Sequence, residues 1–262
     1  MPIITLTTDW NLNDYYVGAI KGKIYSKCAN VNVVDITHQI QTFNIAQAAF
    51  ILKNSYCNFP EGTIHIICVN SEPNSKQYPL VIEENKHFFI GTDNGIFGLI
   101  FKDRTEKIIK MEWDTENQFS SFAEISVFAN AACHLANEGK INDLGTELDH
   151  YQKRVLIRAA IEESVINGSV IYIDSYQNAI TNISYDLFKR IGKNRPFEIF
   201  VQSNHYKINK INKTYQETSV GEILALFNSL GLLEIAINNG NVAELLNLNT
   251  SSCIRIKFYD IH

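Results

Sequence analysis

No two of the five cysteines (Cys28, Cys57, Cys68, Cys133, Cys253) form a CxxC pair, and their odd number and scatter argue against a disulfide framework or a zinc site. They are expected as small core residues. Dense runs of lysine and arginine are missing too, and with a formal net charge of −5 a nucleic-acid backbone is not an expected partner. The three lysines within residues 207–213 alternate with Ile208 and Ile211, which reads as an exposed strand or hairpin. No apolar run reaches the roughly 18 residues of a membrane span, and the opening MPIITLTTDW has no basic region leading into an apolar one. A cytoplasmic protein with no membrane partner is expected. Gly91, Gly95 and Gly98 lack phosphate-cradling spacing, no nucleophile elbow of the G-x-S-x-G kind occurs, and no metal-ligating constellation is visible.

What is present is an ordinary globular composition: 262 residues, 45% hydrophobic and 19% charged. Strand-length apolar runs at residues 3–7, 31–36, 63–69 and 87–90 alternate with helical periods at 15–25, 45–55 and 125–138. That alternation predicts an α/β N-terminal domain with a mostly parallel sheet covered on both faces. Beyond it the chain reads as short strands at 168–174, 197–201, 205–211, 233–237 and 254–258. We therefore expect domains over residues 1–160 and 161–262, the second smaller, all-β and barrel-like.

The first chemical motif is TDWNLNDYYVGAIKG at residues 8–22. Asp9 and Asp14 straddle the turn from the first strand into the first helix, where open α/β sheets bind ligands, and a carboxylate there suits a ribose diol. Position alone also fits Asp14 as a plain helix N-cap. In the second half, Asn178 carries the amide donor and acceptor that an adenine edge needs, beside the aromatic face of Tyr176. Asn178 and Asn182 equally fit hairpin turns. His38 and His134 read as satisfied structural histidines.

Residues 8–22 resemble the TTDFGxxDxYVGxxKG signature of the S-adenosylmethionine (SAM) hydroxide adenosyltransferase and halogenase family, with Trp10 and Asn11 in place of Phe and Gly. Further similar segments follow in order: VVDITH at 33–38, FPEGTIH at 59–65, DNG at 93–95, ACHLA at 132–136, IDSYQNAITNI at 173–183 and LEIAIN at 233–238. The resemblance implies SAM or adenosine as ligand, no cofactor, and a homotrimer with sites between subunits. It implies ribose contacts from Asp9 and Asp14, an aromatic wall from Phe43 and Phe122, and adenine recognition by Asn178 beside Tyr176. Asp174 and Ser229 match positions near the methionine ammonium and carboxylate.

The pattern breaks where water would be activated. Family hydrolases resemble one another in an Asp, an Arg seven residues on and a distant His; here those positions hold Asn70, Gln77 and Ala123. Asn70 and Gln77 can hydrogen-bond a water but cannot take its proton near neutral pH, and Ala123 can do neither. Glu72 and Glu124 are the nearby acids that could substitute, unless both are solvated loop residues. Three readings stand: a SAM hydrolase with an altered base, a catalytically silent SAM or adenosine binder, and a retained scaffold with an interaction role. A halogenase is not expected, because Glu124 stands where family halogenases resemble one another in a small Ser or Gly.

Overall fold

A computed structural model describes residues 1–74, 76–101, 106–112, 122, 124–155 and 157–260. The chain divides into two units, Met1–Val155 and Leu156–His262. The first unit runs β1 (Ile3–Thr8), α1 (Tyr16–Lys27), β2 (Asn32–Thr37), α2 (Ile45–Ser55), β3 (Ile64–Cys68), β4 (Pro79–Glu84), β5 (His87–Thr92), α3 (Ile96–Ile100), β6 (Lys107–Met111), α4 (Glu124–Ala136) and β7 (Gly145–Glu147). Its seven-stranded sheet has the order β2-β1-β3-β5-β4-β6-β7. The first four strands are parallel, as the alternation of strands and helices requires. The last three are antiparallel, so the sheet is mixed. The reversal comes from the β4–β5 hairpin, whose two turn residues Asn85 and Lys86 both take left-handed backbone (φ 50° and 60°), the geometry that matches strand twist.

Every residue of β3 is buried, because helices cover both faces of the sheet. Strand alternation divides the core in two. Ile4, Leu6, Ile64 and Ile66 pack with Ile20, Ile24 and Phe128 of α1 and α4. Ile67, Leu80, Ile82 and Phe89 pack with Ala48, Leu52 and Phe97 of α2 and α3. Helix α2 starts on an Asn44 side chain that accepts from the Gln47 N–H at 3.0 Å. Of the cysteines, Cys28, Cys68 and Cys133 are buried as expected, whereas Cys57 and Cys253 are exposed.

A polar line crosses the α2 side of this core. His65 lies between the Thr5 hydroxyl (2.7 Å) and His87 Nδ1 (3.2 Å), and it stacks on Phe89. Burial, helped by the neighbouring His87, pushes the His65 imidazolium pKa down to about 3. Burial lowers that of His87 as well, against a small opposing pull from Glu61. Below the ordinary histidine value of about 6.5 the unfolded chain takes up protons that folded His65 refuses, so stability falls with pH from about 6.5 downward. His65 alone should remove ~2 kcal/mol by pH 5. Urea titrations at pH 7 and pH 5 should show this loss, and His65→Gln should shrink it; equal stability at both pH values would contradict the assignment.

The second unit contains β8 (Ala160–Glu162), β9 (Val165–Ile173), β10 (Ala179–Ser184), α5 (Tyr185–Gly192), β11 (Phe197–Val201), β12 (Lys207–Ile208), β13 (Ile223–Phe227), β14 (Leu232–Ile237), α6 (Val242–Leu245) and β15 (Cys253–Phe258). The strands form an antiparallel eight-stranded sheet in the order β12-β11-β15-β9-β10-β14-β13, with β8 on β9. Just beyond β12, Asn212 bridges to Leu226 of β13, so the two ends of the sheet meet and the barrel nearly closes. Ile166, Val170, Ile199, Leu233, Ile235 and Ile256 fill the interior. The strand expected over 205–211 is reduced to two residues, because the preceding backbone turns at Gln202 (φ 57°) and pairing with β11 covers only Lys207 and Ile208. Asn182 is not a turn residue: it sits within β10, and its side-chain oxygen accepts the Ser169 N–H at 2.9 Å where the β9–β10 register shifts. No helix among the described residues is long and apolar enough to cross a membrane.

Candidate functional site

The parallel strands β1, β2, β3 and β5 all deliver their carboxyl ends to one edge of the sheet, where such folds bind ligands. At that edge Asp9, directly after β1, accepts the Phe43 N–H at 2.8 Å and the Asn70 N–H at 3.4 Å, both on Oδ2. One carboxylate oxygen thus ties together the loops that follow β1, β2 and β3. Asn11, Phe43, Asn70 and Phe122 all take left-handed backbone (φ 62°, 65°, 47° and 57°). For phenylalanine this conformation costs roughly 1–3 kcal/mol and persists only where the surroundings impose it, as binding sites do.

The motif residues buttress this edge. The Thr8 hydroxyl meets His38 Nδ1 at 2.9 Å and accepts the Trp10 N–H, and His38 Nε2 lies 3.1 Å from Asp35, so His38 braces the motif. Lys21 reaches Asp35 at 2.6 Å. Burial alone would raise the Asp35 carboxyl, but hydrogen bonds from Lys21 and His38 outweigh it and hold it below the usual range. Asn94 donates to the carbonyls of Val69 and Asn70, and the Thr92 hydroxyl donates to that of Ser71. The turn at 70–71 is therefore fixed from β5. His134 is held structurally as well, by the Lys140 carbonyl at 3.0 Å.

Phe43 stands 70% exposed, an open apolar wall beside Asp9. Phe122 is half-buried and stacks on Tyr16 at 4.1 Å, with Trp10 edge-on to Phe122 and tilted against Tyr16. Trp10 and Tyr16 were not singled out as site residues, although both lie in the first motif. Asp14 is exposed and does not cap: α1 has Tyr15 at its N-cap position and no side-chain cap, which removes the helix-capping account of this acid.

The water-activating positions diverge. Asn70 sits on the Asp9 edge, but the Gln77 side chain accepts from Asn74 at 3.3 Å within its own turn. Ala123 lies outside the described residues. The two substitute acids separate cleanly. Glu72 is exposed, whereas Glu124, the first residue of α4, is only 3% exposed. Its Oε1 accepts the Ser71 hydroxyl at 3.2 Å, and its Oε2 has no hydrogen-bond partner. Burial raises the Glu124 carboxyl above the ordinary range, and the charges of Glu72 and Asp9 push the same way.

In the second unit Asp174 and Asn178 close the β9–β10 turn on each other. Asp174 accepts the Asn178 N–H at 2.8 Å and its side-chain N–H at 3.2 Å, and Tyr176 at the tip is 79% exposed. Ser229 is exposed in the β13–β14 turn. Pairing of Ala179 with Ile235 and of Ser184 with Leu232 puts that turn at the other end of the β10–β14 ladder from Asn178, so the ladder does not bring Ser229 to Asp174. Among the described residues no His/Cys/Asp/Glu group could hold a metal ion.

Fold and edge together define a two-unit protein, α/β sheet followed by antiparallel barrel, with Asp9 fixed at the carboxyl edge of the sheet. Residues 4–145 match the SAM hydroxide adenosyltransferase N-terminal domain and residues 168–255 its C-terminal domain. The chain belongs to the SAM hydroxide adenosyltransferase family. It is 33% identical to the (R)-S-adenosyl-L-methionine hydrolase of Methanocaldococcus jannaschii, over 95% of this chain and 93% of that protein. It is 26% identical to the enzyme of the same name from Thermus thermophilus, over 95% and 97% of the two chains. The crystal structure of an uncharacterized conserved protein from Thermotoga maritima superposes with a TM-score of 0.85 at 24% identity, covering 98% of this chain and all of that one, and so shares its fold.

Proposed function

We propose that this protein transfers the adenosyl group of SAM to water, giving adenosine and L-methionine. The observation that carries the reading is Asp9: one carboxylate, fixed by backbone N–H groups from two other loops, at the sheet edge where a ribose diol would be held. The sulfonium of SAM is a good leaving group, so the protein's task is to hold C5′ in line with a water and to help remove that water's proton. Family membership and the hydrolase relatives support the same chemistry. The proposal takes SAM or adenosine as the small-molecule partner of a cytoplasmic homotrimer without a resident cofactor.

A silent binder is the second reading, favoured by one observation: Asn70 and Gln77 have no ionisable group, and Gln77 is turned onto Asn74. Chromatography of SAM incubated with the purified protein separates the two. Adenosine and methionine in equal amounts are expected; intact SAM together with measurable binding would mean a silent binder. No 5′-halo-5′-deoxyadenosine is expected in molar chloride or in fluoride. A buried Glu124 carboxylate ~4 Å from a halide would repel it by about 4 kcal/mol at an effective dielectric near 20. A halogenated product above the protein-free control would contradict this.

A further inference from the structure

We propose that Glu124 is the proton acceptor for the attacking water, taking the place of the missing water-activating side chains. The assignment rests on adenosyl transfer to water being the reaction. Glu124 is buried at the start of α4, with one oxygen held by Ser71 and the other without a partner. A buried carboxylate oxygen lacking a donor is costly, and the large majority of buried polar side-chain atoms have a partner. Glu234 in the barrel shows that case, taking the Tyr215 hydroxyl at 2.6 Å on one oxygen and the Asn228 amide at 3.1 Å on the other. Oε2 of Glu124 is therefore the atom available to accept a hydrogen bond from a water.

Its link to the ligand edge is short. Asp9 holds the Asn70 N–H, Ser71 is the next residue, and the Ser71 hydroxyl holds Glu124. The Asn94 and Thr92 side chains fix the two intervening carbonyls, so the distance from ribose-side acid to base is set by rigid backbone. In the reaction the water oxygen bonds to C5′, the C5′–S bond breaks with its electron pair passing to sulfur as the neutral thioether, and the water proton passes to Glu124 Oε2. Atoms and charge balance: cationic SAM, water and a carboxylate give adenosine, methionine and a carboxylic acid.

The groups facing Glu124 are Ser71 and Glu72 after β3, Asp9 after β1 and the Cys68 thiol of β3, whose own ionisation burial pushes well up. A carboxyl raised above its usual range is a stronger base than a solvated one. Hydrogen bonds from its own backbone N–H and from Ser71 work against that rise, so removing the Ser71 hydroxyl should raise the carboxyl further.

The test compares the wild-type protein, Glu124→Gln and Ser71→Ala for SAM turnover against pH, SAM binding by calorimetry and thermal midpoint. The wild-type rate should climb with pH along a limb lying above the ordinary glutamate range. Glu124→Gln should lose about 100- to 10,000-fold in kcat, keep SAM affinity within a few-fold, and lose the limb. Its melting temperature should hold or rise, since an uncompensated buried acid has been removed. Ser71→Ala should move the limb to higher pH. A Glu124→Gln protein with wild-type kcat and limb, while wild type makes adenosine, would overturn the base assignment and leave adenosyl transfer standing. Wild type that binds SAM and makes no adenosine would overturn both. Should Glu124→Gln not fold, the wild-type limb and its displacement in Ser71→Ala decide, and a flat wild-type profile would overturn the proposal.

Discussion

Asp9→Ala should weaken binding of both SAM and adenosine by about 100-fold or more. The substitution removes the carboxylate proposed to take two charge-assisted hydrogen bonds from the ribose diol, each worth about 1.5–3 kcal/mol. Losing ~3 kcal/mol corresponds to ~100-fold in affinity. A second effect adds to it. The Phe43 and Asn70 N–H groups lose their acceptor, and both residues sit in left-handed backbone that the surrounding hydrogen bonds help to impose. Asp9→Asn keeps an oxygen for those N–H groups but loses the charge, so it should fall between wild type and Asp9→Ala. Calorimetric titration with both ligands measures this, and unchanged affinity in Asp9→Ala would remove Asp9 from the ligand site.

The largest effect on stability is expected at Phe89, in the centre of β5. Its side chain is fully buried on the α2 side of the sheet and meets the His65, Tyr56 and Phe101 rings at 4.9, 5.2 and 4.8 Å. Phe89→Ala takes away the burial and leaves a cavity under a rigid sheet, at about 3–5 kcal/mol. For a unit of this size that is a drop of roughly 10 °C in melting temperature, readable by calorimetry. A change within about 2–3 °C would mean that the core repacks far more freely than a sheet between two helical layers allows.

Where the sequence has a strong single period it could be read to the residue. Helix α2 spans Ile45–Ser55 and β11 Phe197–Val201, as the apolar spacing alone predicts. The antiparallel half of the first sheet was not legible. The β4–β5 turn is Asn85-Lys86, without the glycine that usually marks such a hairpin, and β6 (KIIKM) carries lysine at two of its five positions. Helix α5 was missed because eight residues with one polar face give too short a period to stand out among strands.

The site was legible as a list and not as a geometry. Asp9 and Asn70 are 61 residues apart and meet only because β1 and β3 pair in parallel. The two substitute acids look alike in sequence, yet Glu72 faces solvent while Glu124 is enclosed and held by Ser71, 53 residues earlier. No local pattern encodes that difference, which arises from the fixed turn at 70–71. Asp14 is the converse case. Its position alone favoured a helix cap, and the start of α1 at Tyr16 decided against it.

Adenosyl transfer to water is tested most directly by following the oxygen. SAM incubated with the protein in 18O-enriched water should yield adenosine carrying one heavy oxygen at the 5′ position, with unlabelled methionine released in equal amount, as read by mass spectrometry. Intact SAM after many expected turnovers, or adenosine whose 5′ oxygen is light, would contradict the account.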